Sequence, residues 1–258
     1  MDNFLKNDIN DVTLGIDEAG RGSVIGPLVI GSVIADNDQI NKFEQTGVTD
    51  SKLLTPKKRA DLAEFVKKTS LKNHYISITP SEINNSIKDE NDNLNLLELR
   101  TMANLILENI VSYVYIDAIS TPFYCTSELK KILQNDASIK FKYESNEQFR
   151  IKRQINGKKY HTRIIAQNKA DLIYKIVSAA SLIAKTQRDS AIREIEREYS
   201  LEEGILASGY ANPQLYPFLK RYKRQIRKHE FDFIRYEWNW KPLQDVLTKK
   251  KEQKKLQL

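Results

Sequence analysis

The chain has 258 residues, 40% of them hydrophobic, with 41 Lys and Arg against 34 Asp and Glu for a formal charge of +7. That length suits one large domain or a domain with an appendage, and no stretch approaches the roughly 20 uninterrupted apolar residues of a membrane-spanning helix. Cys125 is the only cysteine, which rules out an intrachain disulfide and fits a cytoplasmic setting; Met1 to Asp11 does not read as a secretory signal, and His74, His161 and His229 lack zinc-site spacing.

Val12–Asp17 reads as a buried strand and Gly26–Ala35 as a second, β-branched one; the tight Gly20-Arg21-Gly22 turn between them predicts an antiparallel pair. Thr55-Pro56 is a helix start, with Thr as N-cap and Pro at the first helical position, and the helix runs to Lys68. Tyr75–Ile78 is a candidate third strand, and Ser81 to Asn93 reads as loop or short helix. Apolar residues at helical spacing (Leu96, Leu97, Met102, Leu105, Ile106) predict a helix over Leu94–Asn109, and a strand follows over Val111–Asp117. Ser127–Gln134 reads as another helix and Ile139–Tyr143 as another strand.

Gln148–Gln154 and Lys159–Ile165 flank Asn156-Gly157 and predict a hairpin. Between Arg150 and Arg163 it carries six Lys or Arg and no acid. The expectation is that Arg150, Lys152, Arg153, Lys158 and Lys159 touch the backbone of a nucleic-acid duplex. Asp171–Tyr199 predicts one long helix, with Ser178-Ala179-Ala180-Ser181 small enough to approach a sheet closely. A basic helix is predicted from Pro213 to Lys228. Strands alternating with helices, two of them ending on carboxylates, are the rhythm of an α/β sheet.

The charge is uneven. Residues 213–258 carry 13 Lys and Arg against 5 Asp and Glu, a net of +8, which leaves −1 on the first 212 residues. A basic extension on a near-neutral body points to an anionic polymer, most simply nucleic acid. The expected division is therefore a body over residues 1–212 and a basic helical extension with a lysine-rich tail over 213–258.

Four acids stand out by position. Asp17 and Glu18 end one strand, Asp117 ends another, and Asp171 opens a helix. Ends of neighbouring strands lie about 5 Å apart, so carboxylates gathered there repel unless a cation sits among them. An all-oxygen site without Cys or His selects a hard cation, Mg2+ or Mn2+. Two such ions about 4 Å apart would activate a water and stabilise the leaving oxygen of a phosphodiester.

Five ordered blocks carry a resemblance. Gly15-Ile16-Asp17-Glu18-Ala19-Gly20-Arg21-Gly22, Asp50-Ser51-Lys52-Leu53-Leu54, Tyr115-Ile116-Asp117-Ala118, Lys169-Ala170-Asp171 with Val177–Asp189, and Ser208-Gly209-Tyr210 resemble the motifs of type 2 ribonuclease H, ribonuclease HII, of the archaeal sort. The resemblance implies a ribonuclease H-like mixed five-stranded sheet flanked by helices, with a C-terminal helical extension. It implies a monomeric endoribonuclease that cuts 5′ to ribonucleotides in RNA/DNA hybrids and at single ribonucleotides in duplex DNA, by two-metal-ion catalysis, leaving 3′-hydroxyl and 5′-phosphate ends. Asp17, Glu18, Asp117 and Asp171 fall on the family's metal ligands. Gly20, Arg21 and Gly22 fall on the turn that reads the 2′-hydroxyl, Lys52 on a lysine near the substrate phosphate, and Tyr210 on the tyrosine that stacks on the neighbouring sugar.

Some positions depart from the pattern. Ser23 stands where many archaeal relatives carry proline, and Ala211-Asn212 follows Tyr210 where proline is usual. Gln253-Lys254-Lys255-Leu256 resembles the start of a sliding-clamp motif but lacks the aromatic pair, and reads better as a lysine-rich tail. The tryptophans of Arg235–Lys241 are expected to pack the tail rather than stack on bases. The competing expectations are ribonuclease HIII, whose additional N-terminal domain has no room before the first motif, a non-catalytic hybrid-binding protein, and a transposase-like relative.

Overall fold

The computed structural model describes residues 12–48 and 54–248. Its strands are β1 (Thr13–Ala19), β2 (Leu28–Ala35), β3 (Lys72–Ile78), β4 (Tyr113–Asp117), β5 (Lys140–Tyr143), β6 (Gln148–Ile155) and β7 (Lys158–Gln167). Its helices are α1 (Asn37–Gln45), α2 (Pro56–Thr69), α3 (Pro80–Lys88), α4 (Leu94–Leu107), α5 (Pro122–Leu133), α6 (Ala170–Ile173), α7 (Lys175–Glu198), α8 (Tyr216–Arg221), α9 (Lys223–Arg227) and α10 (Lys241–Thr248). None of the described helices is long and apolar enough to cross a membrane. The chain divides into two compact units: one takes the residues up to Ala19, Val29–Ile76 and Leu94–Thr186, the other Gly20–Leu28, Ser77–Asn93 and Gln187 onward.

The first unit is built on a mixed sheet in the order β3-β2-β1-β4-β7-β6-β5. β1 pairs antiparallel with β2 and parallel with β4; β4 pairs parallel with β7, and β7, β6 and β5 continue antiparallel. The sheet has seven strands where the resemblance implies five. The hairpin is the reason: Asn156 (φ 50°) and Gly157 (φ 78°) make a two-residue turn that keeps β6 and β7 in register over eight residue pairs, and β5 adds along the outer edge of β6.

One face of the sheet is closed over β1 and β2 by the first half of α7. The approach is so close that a Cβ on Gly31 would overlap the Ala180 carbonyl oxygen, and one on Gly15 the Ile176 carbonyl oxygen, so only glycine fits at either point. The opposite face of β6 and β7 packs against α5, where Lys130 lies over the Phe149 ring at 5.6 Å from its centroid. Arg153 also belongs to that face. It is 3% exposed, and its guanidinium donates to the carbonyls of Leu107 at 2.8 Å and Asn109 at 2.5 Å, satisfying orphan acceptors at the C-terminal end of α4. The expectation that Arg153 meets a duplex with its basic neighbours is therefore corrected: strand alternation turns it inward.

Three helices differ from the sequence reading. The long helix from Asp171 is two helices, because Tyr174 is extended (φ −110°, ψ 116°) and separates α6 from α7. α5 begins five residues before Ser127, at Pro122, with Thr121 accepting from the Tyr124 N–H. The single basic helix from Pro213 is a 3-10 turn followed by α8 and α9, broken at Tyr222 (φ −103°, ψ 20°).

The second unit has its own core, centred on Ile25, Leu206, Leu215, Phe218 and Phe233, with Trp238 and Trp240 packed against it. The Glu196 carboxylate knits the loop after α7 by accepting from the Gly204 and Leu206 N–H groups at 3.0 and 2.9 Å.

Candidate active site

Three carboxylates meet at one end of the sheet. The parallel register pairs Ile16 with Ile116, so Asp17 and Asp117 follow side by side on β1 and β4. Residues two apart on a strand share a face, which puts both acids on the face of Gly15 and Tyr115. Lys169, in the left-handed region (φ 57°), turns the chain from β7 into α6. The Ala170 N–H then donates to Asp117 Oδ1 at 2.9 Å, and the Ser178 hydroxyl donates to the Asp171 carbonyl at 2.5 Å. One carboxylate oxygen each from Asp17, Asp117 and Asp171 lies within 4.8 Å of the other two. Asp17 and Asp171 are buried and Asp117 is half-buried.

Glu18 is not a member of that group. Among neighbouring charges its carboxylate raises the Asp17 carboxyl most, and it also acts on the buried Cys125. Burial, with Glu18 and other acids behind it, pushes the Cys125 thiol up to about 12, so this cysteine is no nucleophile at neutral pH.

The electrostatics of the acid cluster are unfavourable without a cation. Burial, then Glu18, then Asp117 hold the Asp17 carboxyl well above the usual carboxylate range, while Lys185 and the Ser181 hydroxyl pull it down. The Lys185 ammonium donates to Ser181 Oγ at 2.8 Å and so stands fixed on α7 beside the cluster. The donor set contains neither Cys nor His. A buried, all-carboxylate cluster in which the neighbouring acids raise the proton affinity of Asp17 fits a hard divalent cation.

The second unit builds the glycine turn and Tyr210 as one assembly. Gly20 has φ 85°, and a Cβ there would collide with the Arg188 side chain. Its N–H donates to the Tyr210 hydroxyl at 3.2 Å. Arg188 is 2% exposed; its guanidinium donates to Ser23 Oγ at 2.7 Å and lies 4.9 Å from the Tyr210 ring centroid. Val24 and Ile25 donate to the Gly209 carbonyl at 2.8 and 3.1 Å. Arg235, fully buried, donates to the carbonyls of Arg21 at 3.0 Å and Gly26 at 3.1 Å. Ser23, the departure from the usual proline, thus supplies an acceptor to the arginine that supports Tyr210. Tyr210 keeps 38% of its surface exposed, and Gly22 is exposed beside its ring.

The sequence profile of the family described as "Ribonuclease HII" matches residues 14–149 and 136–241. Ribonuclease HII of Methanococcus maripaludis strain C6 is 38% identical over 235 residues, which span 86% of this chain and 85% of the relative. The chain belongs to the ribonuclease HII family. It is an enzyme of the type 2 ribonuclease H class, a hydrolase. Among solved structures, the ribonuclease H2 of Pyrococcus horikoshii OT3 is similar with a TM-score of 0.69 at 31% identity, over 92% of this chain and 97% of that one. The ribonuclease HII in the PCNA:RNase HII complex from Archaeoglobus fulgidus gives 0.68 at 27% identity, over 88% of this chain and 95% of that one.

Set against the family motifs, Asp17, Asp117 and Asp171 are brought together in one unit, and Gly20, Arg21, Gly22 and Tyr210 in the other. Lys52, with Asp50, Ser51 and Leu53 of the second motif, lies outside the described residues, as does the Gln253–Leu256 segment. Four residues around these groups carry no role in the sequence reading: Ser181, Lys185, Arg188 and Arg235. The first three sit inside the Val177–Asp189 block, at helical spacings that bring them to one side of α7; Arg235 has no such signal.

Proposed function

We propose that this ribonuclease HII hydrolyses the phosphodiester on the 5′ side of ribonucleotides, both in RNA/DNA hybrids and at single ribonucleotides embedded in duplex DNA. The observation that carries this reading is the gathering of Asp17, Asp117 and Asp171 within 4.8 Å in a chain of this family. These three carboxylates, with Glu18 from the adjacent position on β1, would hold two divalent cations, Mg2+ or Mn2+. When bound, such ions lower the pKa of an attacking water and neutralise charge on the leaving oxygen. The chain's own groups do the rest. Lys185 and Ser181 offset part of the burial and repulsion that disfavour the ionised Asp17 carboxylate. The hydrogen bond from the Ala170 N–H holds Asp117 in one orientation.

Reading of the ribose is assigned to the Gly20-Arg21-Gly22 main chain and to Tyr210. The 2′-hydroxyl is what separates RNA from DNA at one position, and a glycine turn lets backbone groups approach it. The hydrogen bond and packing that join the turn to Tyr210 support a shared role. The similarity to the clamp-bound Archaeoglobus protein adds a sliding clamp to the partners, and co-elution with a purified archaeal clamp tests it.

A duplex DNA carrying one ribonucleotide, with Mg2+ or Mn2+, tests the reading. The expected product is a single nick 5′ to the ribonucleotide with 3′-hydroxyl and 5′-phosphate ends. Asp117→Asn abolishes it, and so does replacement of the 2′-hydroxyl by hydrogen. Cleavage that survives either change contradicts the reading.

A further inference from the structure

The sheet face that carries Asp17 and Asp117 continues across β7, β6 and β5, beyond the strands that α7 covers. The registers fix which residues share it. Tyr113, Arg163, Arg150 and Lys142 form one row across four strands, and His161, Lys152 and Lys140 form the next. Lys159 lies on the same face, nearer the hairpin turn. Lys140, Lys142 and Lys159 are exposed, and Arg150, Lys152, His161 and Arg163 partly so. The alternating residues Phe149, Ile151 and Arg153 are 0%, 1% and 3% exposed on the other face. The two faces of one hairpin therefore have opposite characters.

This cationic face is built at a cost. Strands β5, β6 and β7 contain no Asp or Glu. Lys140 stands opposite Lys152, Lys142 opposite Arg150, and Arg150 opposite Arg163. Like charges directly opposite each other on a sheet are destabilising. Glu144 offsets part of this, with Arg150 Nε at 2.5 Å and Arg163 Nε at 3.3 Å. An arrangement that raises the energy of the free protein and is relieved by an anion is the signature of a polyanion surface.

Its place fits a substrate that also reaches the acids. Asp117 pairs with Gln167, four residues along β7 from Arg163 and six from His161. At about 3.3 Å per residue the two rows lie about 13 and 20 Å from the acids. At about 3.4 Å per base pair, that is about four to six base pairs. Single strands are bound on open aromatic platforms. Here Phe141, Phe149 and Tyr160 alternate to the opposite face, and the tyrosines of this face are engaged with each other: Tyr113 stacks on Tyr115 at 6.4 Å between ring centroids, and Tyr115 packs against Tyr174 at 4.2 Å. We propose that the β5–β6–β7 half of this face grips the sugar-phosphate backbone of a duplex, about four to six base pairs from the phosphodiester that the acids act on. The proposal rests on the nuclease reading above for its register, but not for the binding itself.

The test neutralises the four lysines, Lys140→Gln, Lys142→Gln, Lys152→Gln and Lys159→Gln together, and measures anisotropy with a 30-base-pair DNA duplex lacking ribonucleotides. A control neutralises four exposed lysines of α2, Lys57, Lys58, Lys67 and Lys68. The expected result is a log–log salt slope shallower by about 3 and binding about tenfold weaker at 100 mM salt, with little change in the control. The thermal midpoint of the variant stays level or rises, which separates lost contacts from lost structure. Equal slopes, an equal loss in the control, or a larger loss on a 30-nucleotide single strand than on the duplex each overturn the proposal. Under the proposed function an all-DNA duplex is no substrate, and with chelator present it is not cut on any reading, so a failure of the nuclease reading would appear in the ribonucleotide assay and leave this comparison intact.

Discussion

Asp17→Asn separates the electrostatic account of the acid cluster from any effect on catalysis. Two ionised carboxylates within 4.8 Å of each other, as Asp17 and Asp117 are, repel by about 3 kcal/mol at an effective dielectric of 20, and Glu18 adds to that repulsion on Asp17. Its raised pKa means that the folded protein binds more protons than the unfolded chain between the two values. Stability without metal therefore falls as pH rises through the folded-state pKa of Asp17, and is highest below the unfolded value. Removing the charge while keeping the shape should stabilise the metal-free protein at pH 8 by about 2 kcal/mol, part of the repulsion being offset by Lys185. For a chain of this size that is about 4–8 °C in Tm. The assay is thermal unfolding in chelator at pH 5 and pH 8, then with Mg2+ added. Wild type gains about 3 kcal/mol once the free ion exceeds its Kd a hundredfold, and the variant gains much less. An Asn variant that melts below wild type at pH 8 in chelator, or that keeps the wild-type pH slope, refutes the reasoning.

Other substitutions test the scaffold and the substrate side. Gly31→Ala forces a methyl group into the Ala180 carbonyl and should cost about 2–3 kcal/mol in urea unfolding. Arg153→Met leaves buried carbonyls at the end of α4 without their donor and should cost about 3 kcal/mol, while duplex affinity of the folded fraction stays at the wild-type value. Tyr210→Ala should lower kcat/KM about tenfold or more on a single embedded ribonucleotide, and less on a long hybrid, because it removes the ring beside one sugar. An equal loss on both substrates would contradict that role.

The parts of this molecule that sequence makes legible are those set by local chemistry. Thr55-Pro56 announces α2, and Asn156-Gly157 announces the hairpin, because an N-cap and a left-handed turn are decided within a few residues. The same N-cap logic applies to Thr121-Pro122 and Thr79-Pro80, which open α5 and α3. The break at Tyr174 is not local. Tyr174 leaves the helix to stack on Tyr115 of β4, and no residue near it breaks helices by itself. Three acids were legible as a cluster because each ends or follows a strand. Arg153 reads from sequence as a duplex contact, and Arg188 and Arg235 carry no role of their own there. Only the tertiary structure gives them buried carbonyls and hydroxyls to bind.

Mn2+ soaked into crystals of the wild-type protein, located by anomalous scattering at the manganese edge, addresses the cluster itself. A peak bounded by the carboxylates of Asp17, Asp117 and Asp171, lost in Asp117→Asn, is the result that follows from this geometry. Manganese bound only elsewhere, in a protein that still nicks a ribonucleotide-containing duplex, would contradict it.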